Sequence, residues 1–213
     1  NYNIEDFTEQ NYRKLIENTK KNYQFILYNN MVEKQQYNSV LWRYDVDISV
    51  HKAFKLAKIE NEENVKATYF VQLSSPYYNL FEDEIKKLIS NILELGHQIG
   101  VHFDPTIYNI NSTLEFESYL KFEKDILEKL FGTKIYAFSF HNPLEEYLNL
   151  GTSEICGMVN TYSSFLQNNF EYCSDSCGYW RHKRLEYFLE QGHKNIQVLT
   201  HPEWWQEDIM TPR

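Results

Sequence analysis

The chain has 213 residues and a formal net charge of −9. A single domain of that size buries roughly 70% of the surface its unfolded chain exposes, so one core suffices. The acidic balance and the lack of a basic stripe argue against nucleic acid and anionic membrane surfaces as partners, and no apolar run approaches the ~20 residues that span a bilayer or reads as a signal-peptide core.

Residues 5–30 carry Phe7, Tyr12, Leu15, Ile16, Tyr23, Phe25 and Ile26 at mostly helical spacing, which predicts an opening helix and a short connection. Residues 1–35 are therefore expected as a helical extension packed on a single domain spanning 1–213. The apolar entry Val40-Leu41-Trp42 runs into Arg43-Tyr44-Asp45-Val46-Asp47-Ile48-Ser49 and reads as a strand ending at a strand–helix junction. A helix is predicted from Ser49, its N-cap, to Ile59. Lys66–Gln72 is strand-like in its β-branched and aromatic content. Glu82–Leu95 is an amphipathic helix closed by Gly96, followed by a strand over Gln98–Phe103. The longest predicted helix covers Thr113–Phe131 before Gly132. Strands then follow at Ile135–Phe140, Met158–Tyr162 and Phe170–Ser174, a helix at Arg181–Gln191, and a last strand at Asn195–Thr200. Strands alternating with helices, and no tight hairpins, predict parallel strands with crossover connections. About seven such strands suggest an α/β fold of closed or nearly closed barrel type.

Side chains alternate along a strand, so Asp45 and Asp47 share one side while Val46 faces the other. Two carboxylates held that close repel unless a cation lies between them, which points to metal binding or acid–base chemistry. A solvated Asp-rich turn is the plainer reading, and the flanking apolar residues weaken it. Four further strands also end in polar residues of chemical interest: His102 and Asp104, His141, Asp175, and His201. The C-terminal strand ends are the face on which parallel α/β barrels build active sites. A carboxylate with imidazoles is the usual donor set for a divalent zinc-like ion. Such an ion polarises a carbonyl and activates water, a second carboxylate can serve as base, and a histidine across the pocket can protonate a leaving amine.

These segments resemble the polysaccharide deacetylase family, metal-dependent carbohydrate esterases with a distorted seven-stranded (β/α) barrel. Tyr44-Asp45-Val46-Asp47 is similar to a spaced variant of the Asp pair ending the family's first strand. That match implies Asp45 as general base and Asp47 as metal ligand. Lys66–Val71 resembles the second-strand signature, and Gly96–His102 the run into the metal motif, with His102 as first histidine ligand and His97 as a structural residue. Phe138-Ser139-Phe140-His141-Asn142-Pro143 stands where the family has its Arg-Pro-Pro-Tyr strand. Ser174–Trp180 resembles the Asp/Trp motif, and Val198-Leu199-Thr200-His201-Pro202 the final strand, whose histidine is the catalytic acid. The resemblance spans roughly residues 40–205.

The chain departs from the family at two places. Thr106 and Ile107 stand where a second metal histidine is expected, so the third ligand falls to His141, with Asp104 as the alternative. The motif arginine is absent, and Arg43 or Arg181 is left to supply its charge. Asp175 is expected to orient His201. Arg43, Asp104, Trp180, Arg181, Glu203 and Trp204 are the expected substrate contacts. The resemblance implies a divalent ion, zinc first with cobalt or nickel as alternatives, and a saccharide substrate. It also implies removal of a small acyl group from an amino sugar, in a bacterial branch associated with surface-polysaccharide synthesis. The same site on another small amide, such as a cyclic imide or ureide, and a non-catalytic carbohydrate-binding barrel are the competing readings. The odd count of cysteines (Cys156, Cys173, Cys177) fits a reducing compartment, so a cytoplasmic location is expected.

Overall fold

The computed structural model of the chain describes residues 4–31, 38–143, 145–180 and 183–210. The second strand, β2 (Ser39–Val46), is buried along its whole length and organises the rest. One face, Val40, Trp42, Tyr44 and Val46, packs in the main hydrophobic core, while Leu41 belongs to a second, inner cluster with Phe70, Ala137, Leu166 and Phe170. Arg43 and Asp45 share the inner face with Leu41.

On one edge β2 pairs with β9 (Asn195–Thr200). On the other it pairs first with β1 (Gln24–Ile26) and then with β3 (Thr68–Val71). Beyond β3 come β4 (Gln98–Phe103), β5 (Ala137–Phe140), β7 (Met158–Asn160) and β6 (Glu154–Ile155), and beyond β9 lies β8 (Glu171–Ser174). All pairings are parallel except β6 with β7. The sheet curls into a barrel-like shape. Ser139 on β5 donates to Asp45 on β2 at 3.1 Å although two strands separate them. Gln197 on β9 reaches the carbonyl of Thr161, just past β7, across the interior.

Helices cover the outer face: α1 (Glu9–Asn22), α2 (Val50–Glu62), α3 (Asp83–Glu94) and α4 (Thr113–Phe131), then the short α5 (Glu145–Leu148), α6 (Ser164–Asn169) and α7 (Leu185–Glu190). Ser49 and Ser112 cap α2 and α4 through their hydroxyls, which fixes where those helices begin. No helix of the described residues is long and apolar enough to cross a membrane.

The fold is the α/β barrel type the sequence predicts, with four differences. The connection after α1 is a strand, β1, and Tyr28 and Met31 beyond it lie in the inner cluster. This segment is therefore part of the barrel rather than an extension laid on it. Among the described residues the sheet has nine strands rather than seven. Two of them form a tight hairpin, β6–β7, whose turn residues Cys156 (φ 53) and Gly157 (φ 72) both take the left-handed conformation that two-residue hairpin loops need. The helix predicted from Arg181 begins at Leu185 among the described residues.

Gly100 lets two layers of the inner face close up. A Cβ there would stand 2.4 Å from the Phe70 ring and 2.9 Å from the Ala137 carbonyl, which sits in the adjoining strand and has little room to shift. Gly100→Ala should therefore cost about 2–3 kcal/mol of unfolding free energy, with Gly100→Ala/Phe70→Leu recovering part of it in urea titrations.

On the outer face, Glu60 of α2 is fully buried and accepts hydrogen bonds from the hydroxyls of Tyr12 (2.7 Å), Tyr44 (2.8 Å) and Tyr69 (2.5 Å). His97 lies 3.5 Å from it, with Nδ1 accepting from Ala67 N–H and Nε2 bonded to Ala57 O. Burial pushes Glu60 up to about 7 against the pull of the tyrosine hydroxyls, and burial pushes His97 down to about 4. The folded state keeps the Glu60 proton up to about pH 7, whereas the unfolded chain releases it near ~4.3. The Glu60 contribution is complete below ~4.3 and is lost as pH rises through 7. His97 runs the other way: its contribution is present above ~6.5 and lost as pH falls through 4. Between ~4.3 and ~6.5 the two slopes oppose each other. Glu60→Gln leaves the His97 slope unopposed. The stability of this variant relative to wild type should rise from about pH 4.5 to 7, by up to about 1.4 kcal/mol per unit. Urea unfolding at half-unit pH steps measures the slope, and a pH-independent difference would show that folded Glu60 is ionised throughout.

Candidate metal centre and active site

Four strands deliver the centre. Asp47 follows β2, His102 is the fifth residue of β4, His141 follows β5, and His201 follows β9. Asp47 Oδ1 lies 2.9 Å from His102 Nε2 and 3.1 Å from His141 Nδ1, and the two imidazole nitrogens are 3.3 Å apart. Among the described residues, these three form the one group of histidine, cysteine or carboxylate donors close enough to hold a metal ion. The spacing suits such an ion: with Zn–N of about 2.0–2.1 Å, neighbouring donors of a tetrahedron stand about 3.3 Å apart. The other nitrogen of His141 lies 2.9 Å from the Asn142 amide. A ligating Nδ1 requires a proton on Nε2, which the Asn142 carbonyl accepts once the amide is turned that way.

Burial alone would raise Asp47, yet hydrogen bonds to His102 and His141 outweigh it and hold the carboxyl well below the usual carboxylate range. His141 moves up despite partial burial because it bonds Asp47.

Across the same centre, His201 Nε2 is 3.9 Å from the other Asp47 oxygen. Its Nδ1 is held by Asp175 Oδ1 at 2.6 Å. Asp175 is fully buried and also accepts from the His201 backbone N–H and from Thr200 Oγ1. Burial would lower His201, but the Asp175 carboxylate, with Asp45 and Asp47 nearby, pushes it up to about 10. The ring is thereby charged at neutral pH.

Asp45 lies one layer deeper, 3% exposed, with Oδ1 accepting from Ser139 and Oδ2 3.4 Å from Arg43 Nη2. A cavity of about 550 Å³ joins these groups, lined by Asp45, Asp47, His102, His141 and His201, with Tyr162, Tyr172, Leu199 and Trp204 among the other residues of its walls.

The expected substrate contacts do not all reach this cavity. Trp204 does, its ring 6.2 Å from that of His201. Arg43 is fully buried, bonded to Tyr162 and Asp45 and stacked over Phe70 and Tyr162, so it lies beneath the cavity rather than in its wall. Trp180 packs on Phe7 and Trp205. Asp104 turns back to cap Thr106 through its N–H and hydroxyl. Glu203 is buried off the lining, and neither carboxylate oxygen has a hydrogen-bond partner among the described residues; burial pushes it up to about 8. Arg181 lies outside the described residues. Sequence reasoning passed over Ser139, Tyr162 and Tyr172. The lone hydroxyl in Ala137-Phe138-Ser139-Phe140, two residues before His141 and so on the same face, was the available signal.

No protein-family model and no curated protein matches this sequence. Solved structures do. A family 4 carbohydrate esterase from Bacillus anthracis superposes with a TM-score of 0.52 at 15% identity, over 94% of this chain and 79% of that one. A pseudoenzyme of the same family from Bacillus anthracis gives 0.49 at 16% identity, over 79% and 56%. A family 4 acetyl xylan esterase from Clostridium thermocellum, in complex with a cobalt ion, gives 0.46 at 16% identity, over 81% and 78%. The chain spans 56–58% of the length of the pseudoenzyme and its variants. The first superposition shows that this chain has the family 4 carbohydrate esterase fold.

His102→Ala and His141→Ala should each abolish stoichiometric metal binding in elemental analysis of folded protein, while Asp104→Ala retains it. Full metal content in His141→Ala, together with its loss in Asp104→Ala, would move the third ligand to Asp104.

Proposed function

We propose that this protein is a metal-dependent amide hydrolase that removes a small acyl group from the nitrogen of an amino sugar. The observation that carries this reading is the two-sided arrangement about Asp47. One oxygen faces His102 and His141, and the other faces His201, which is backed by Asp175. Amide hydrolysis needs an electrophilic centre at the carbonyl and a proton donor for the departing nitrogen, and the arrangement about Asp47 supports such a division.

Asp47, His102 and His141 would hold the ion. Two imidazoles and a carboxylate suit zinc, with cobalt or nickel acceptable to the same donors. An ion there would act as a Lewis acid on the acyl carbonyl and activate water toward it. Asp45, on the cavity wall just behind His102, takes the proton of the attacking water. Asp175 keeps Nδ1–H of His201 engaged, so the ring offers the proton on Nε2 to the departing nitrogen. Trp204, at the cavity wall beside His201, gives the sugar ring a flat surface to stack on, and Tyr162 and Tyr172 bound the space left for the acyl group. A role in bacterial surface-polysaccharide synthesis, which rests on the family resemblance of the sequence, and a cytoplasmic location, which rests on the odd cysteine count, complete the reading.

Acetate or formate release from N-acylated amino sugars by the zinc-loaded protein tests the function. His201→Ala should keep its metal yet lose ~10²–10⁴-fold in turnover of such amides, and far less on activated esters, whose leaving groups need no proton. Equal losses on both substrate types would remove His201 from the role of acid.

A further inference from the structure

We infer that Ser139 is a positioning residue of the metal centre: its hydroxyl links the Asp45 carboxylate to His102 and fixes which nitrogen of that ring faces the ion. This rests on the metal-centre reading above. It assigns work to a residue that touches neither the ion position nor the cavity.

Ser139 is completely buried in β5, on the inward face between Ala137 and His141. Its Oγ lies 3.1 Å from Asp45 Oδ1 and 2.6 Å from His102 Nδ1. A carboxylate only accepts, so the single hydroxyl proton goes to Asp45. With that proton committed, Oγ can meet Nδ1 at hydrogen-bond distance only as an acceptor. His102 therefore carries a proton on Nδ1. In the neutral ring, Nε2 is then a bare lone pair, directed at Asp47 Oδ1 2.9 Å away and at His141 Nδ1 3.3 Å away. Three lone-pair donors aimed at one point repel unless a proton or a cation sits among them.

The arrangement also passes charge. Metal-bound histidines commonly give their second N–H to a carboxylate or carbonyl, which orients the ring and raises its basicity. Here the carboxylate stands one hydroxyl further away, 3.9 Å from Nδ1, too far for a direct bond. Ser139 spans that gap. The other Asp45 oxygen lies toward Arg43, so the line runs from a buried guanidinium through Asp45, Ser139 and His102 to the ion position. His201 contrasts with this, since Asp175 bonds its ring directly.

Zinc affinity, measured by competition with a chromophoric chelator, tests the inference on wild type, Ser139→Ala, Ser139→Thr and His102→Ala. Melting of the metal-free proteins serves as the control for folding. Ser139→Ala should bind zinc ~10–100-fold more weakly while its metal-free form still melts cooperatively, and Ser139→Thr, which restores the hydroxyl, should return to within a few-fold of wild type. Wild-type affinity in Ser139→Ala while His102→Ala has lost zinc would overturn the inference and leave the metal centre standing. Equal weakening in the Ala and Thr variants would also overturn it, because shape rather than the hydroxyl would then matter. Wild-type affinity in His102→Ala would remove the metal centre and the inference together. Should the threonine variant fail to fold, long-range ¹H–¹⁵N spectra of the wild-type zinc form decide. The proton of His102 is expected on Nδ1, and a proton on Nε2 refutes the assignment.

Discussion

A guanidinium and a carboxylate shut inside the barrel set the terms for everything above them. Arg43 is 0% exposed and Asp45 3%, and taking ions out of water costs several kcal/mol each unless they are paired and hydrogen-bonded. Their 3.4 Å approach, the Tyr162 hydroxyl and the Ser139 hydroxyl offset part of that cost. The Phe70 and Tyr162 rings add cation–π contact. Nε and Nη1 of Arg43 have no hydrogen-bond partner among the described residues, so stability alone does not explain the pair. Its position does: the Asp45 carboxylate cannot turn away from the centre while both its oxygens are engaged. The aspartate proposed as base is thereby held in place before any substrate arrives, which is the economical arrangement for catalysis.

Much of the site was legible because alternation along a buried strand is a strong constraint. In β2 the sequence Val-Leu-Trp-Arg-Tyr-Asp-Val assigns every second residue to each face, and the structure keeps Leu41, Arg43 and Asp45 on the inside. His102, inside β4, is identifiable for the same reason, and His141 and His201 by standing directly after apolar strands. Residues in turns beyond a strand are not bound by alternation. Among the expected substrate contacts, local capping turns Asp104 away and aromatic packing holds Trp180, while Glu203 is buried off the cavity lining. The short strands β1 and β6, of three and two residues, carry too little pattern to declare themselves. The β6–β7 turn places Cys156 at a positive φ where Asn or Asp is the usual signal. Glu60 was missed on a helix whose buried stripe, Ala53, Leu56, Ala57, includes it at helical spacing. A charge on an apolar stripe is the sign of a partner waiting on the other side, here three tyrosine hydroxyls.

The curl of the sheet turns a row of strand ends into a centre. In a flat sheet at about 4.8 Å per strand, β2 and β5 would stand about 14 Å apart. In the barrel, His141 touches Asp47 at 3.1 Å. Two features of the inner face permit this closure. Gly100 leaves room for Phe70 under His102, and small residues, Ala137 and Ser139, occupy β5 below His141. The inner face is thus graded, with apolar bulk at the bottom, the Arg43–Asp45 pair in the middle and imidazoles at the rim. Each layer depends on the packing of the one beneath it.

Asp47 is the point where the two halves of the site meet, and its geometry says how they divide the chemistry. Oδ1 serves His102 and His141, while Oδ2 faces His201. In the proposed reaction a single carboxylate group thus lies between the ion position and the proton donor, at 2.9–3.1 Å from the ring nitrogens of the first side and 3.9 Å from that of the second. His201 is anchored independently through Asp175, which accepts from its ring, its backbone and Thr200. The ligand side is anchored through Ser139 and Asp45. Each side has its own buried carboxylate behind an imidazole, and Asp47 stands between them. A barrel that only bound a sugar would need neither anchor. Two buried carboxylates, each held behind a ring nitrogen, are costly in a folded core. That cost makes sense where one ring must hold a cation and the other must keep a proton available.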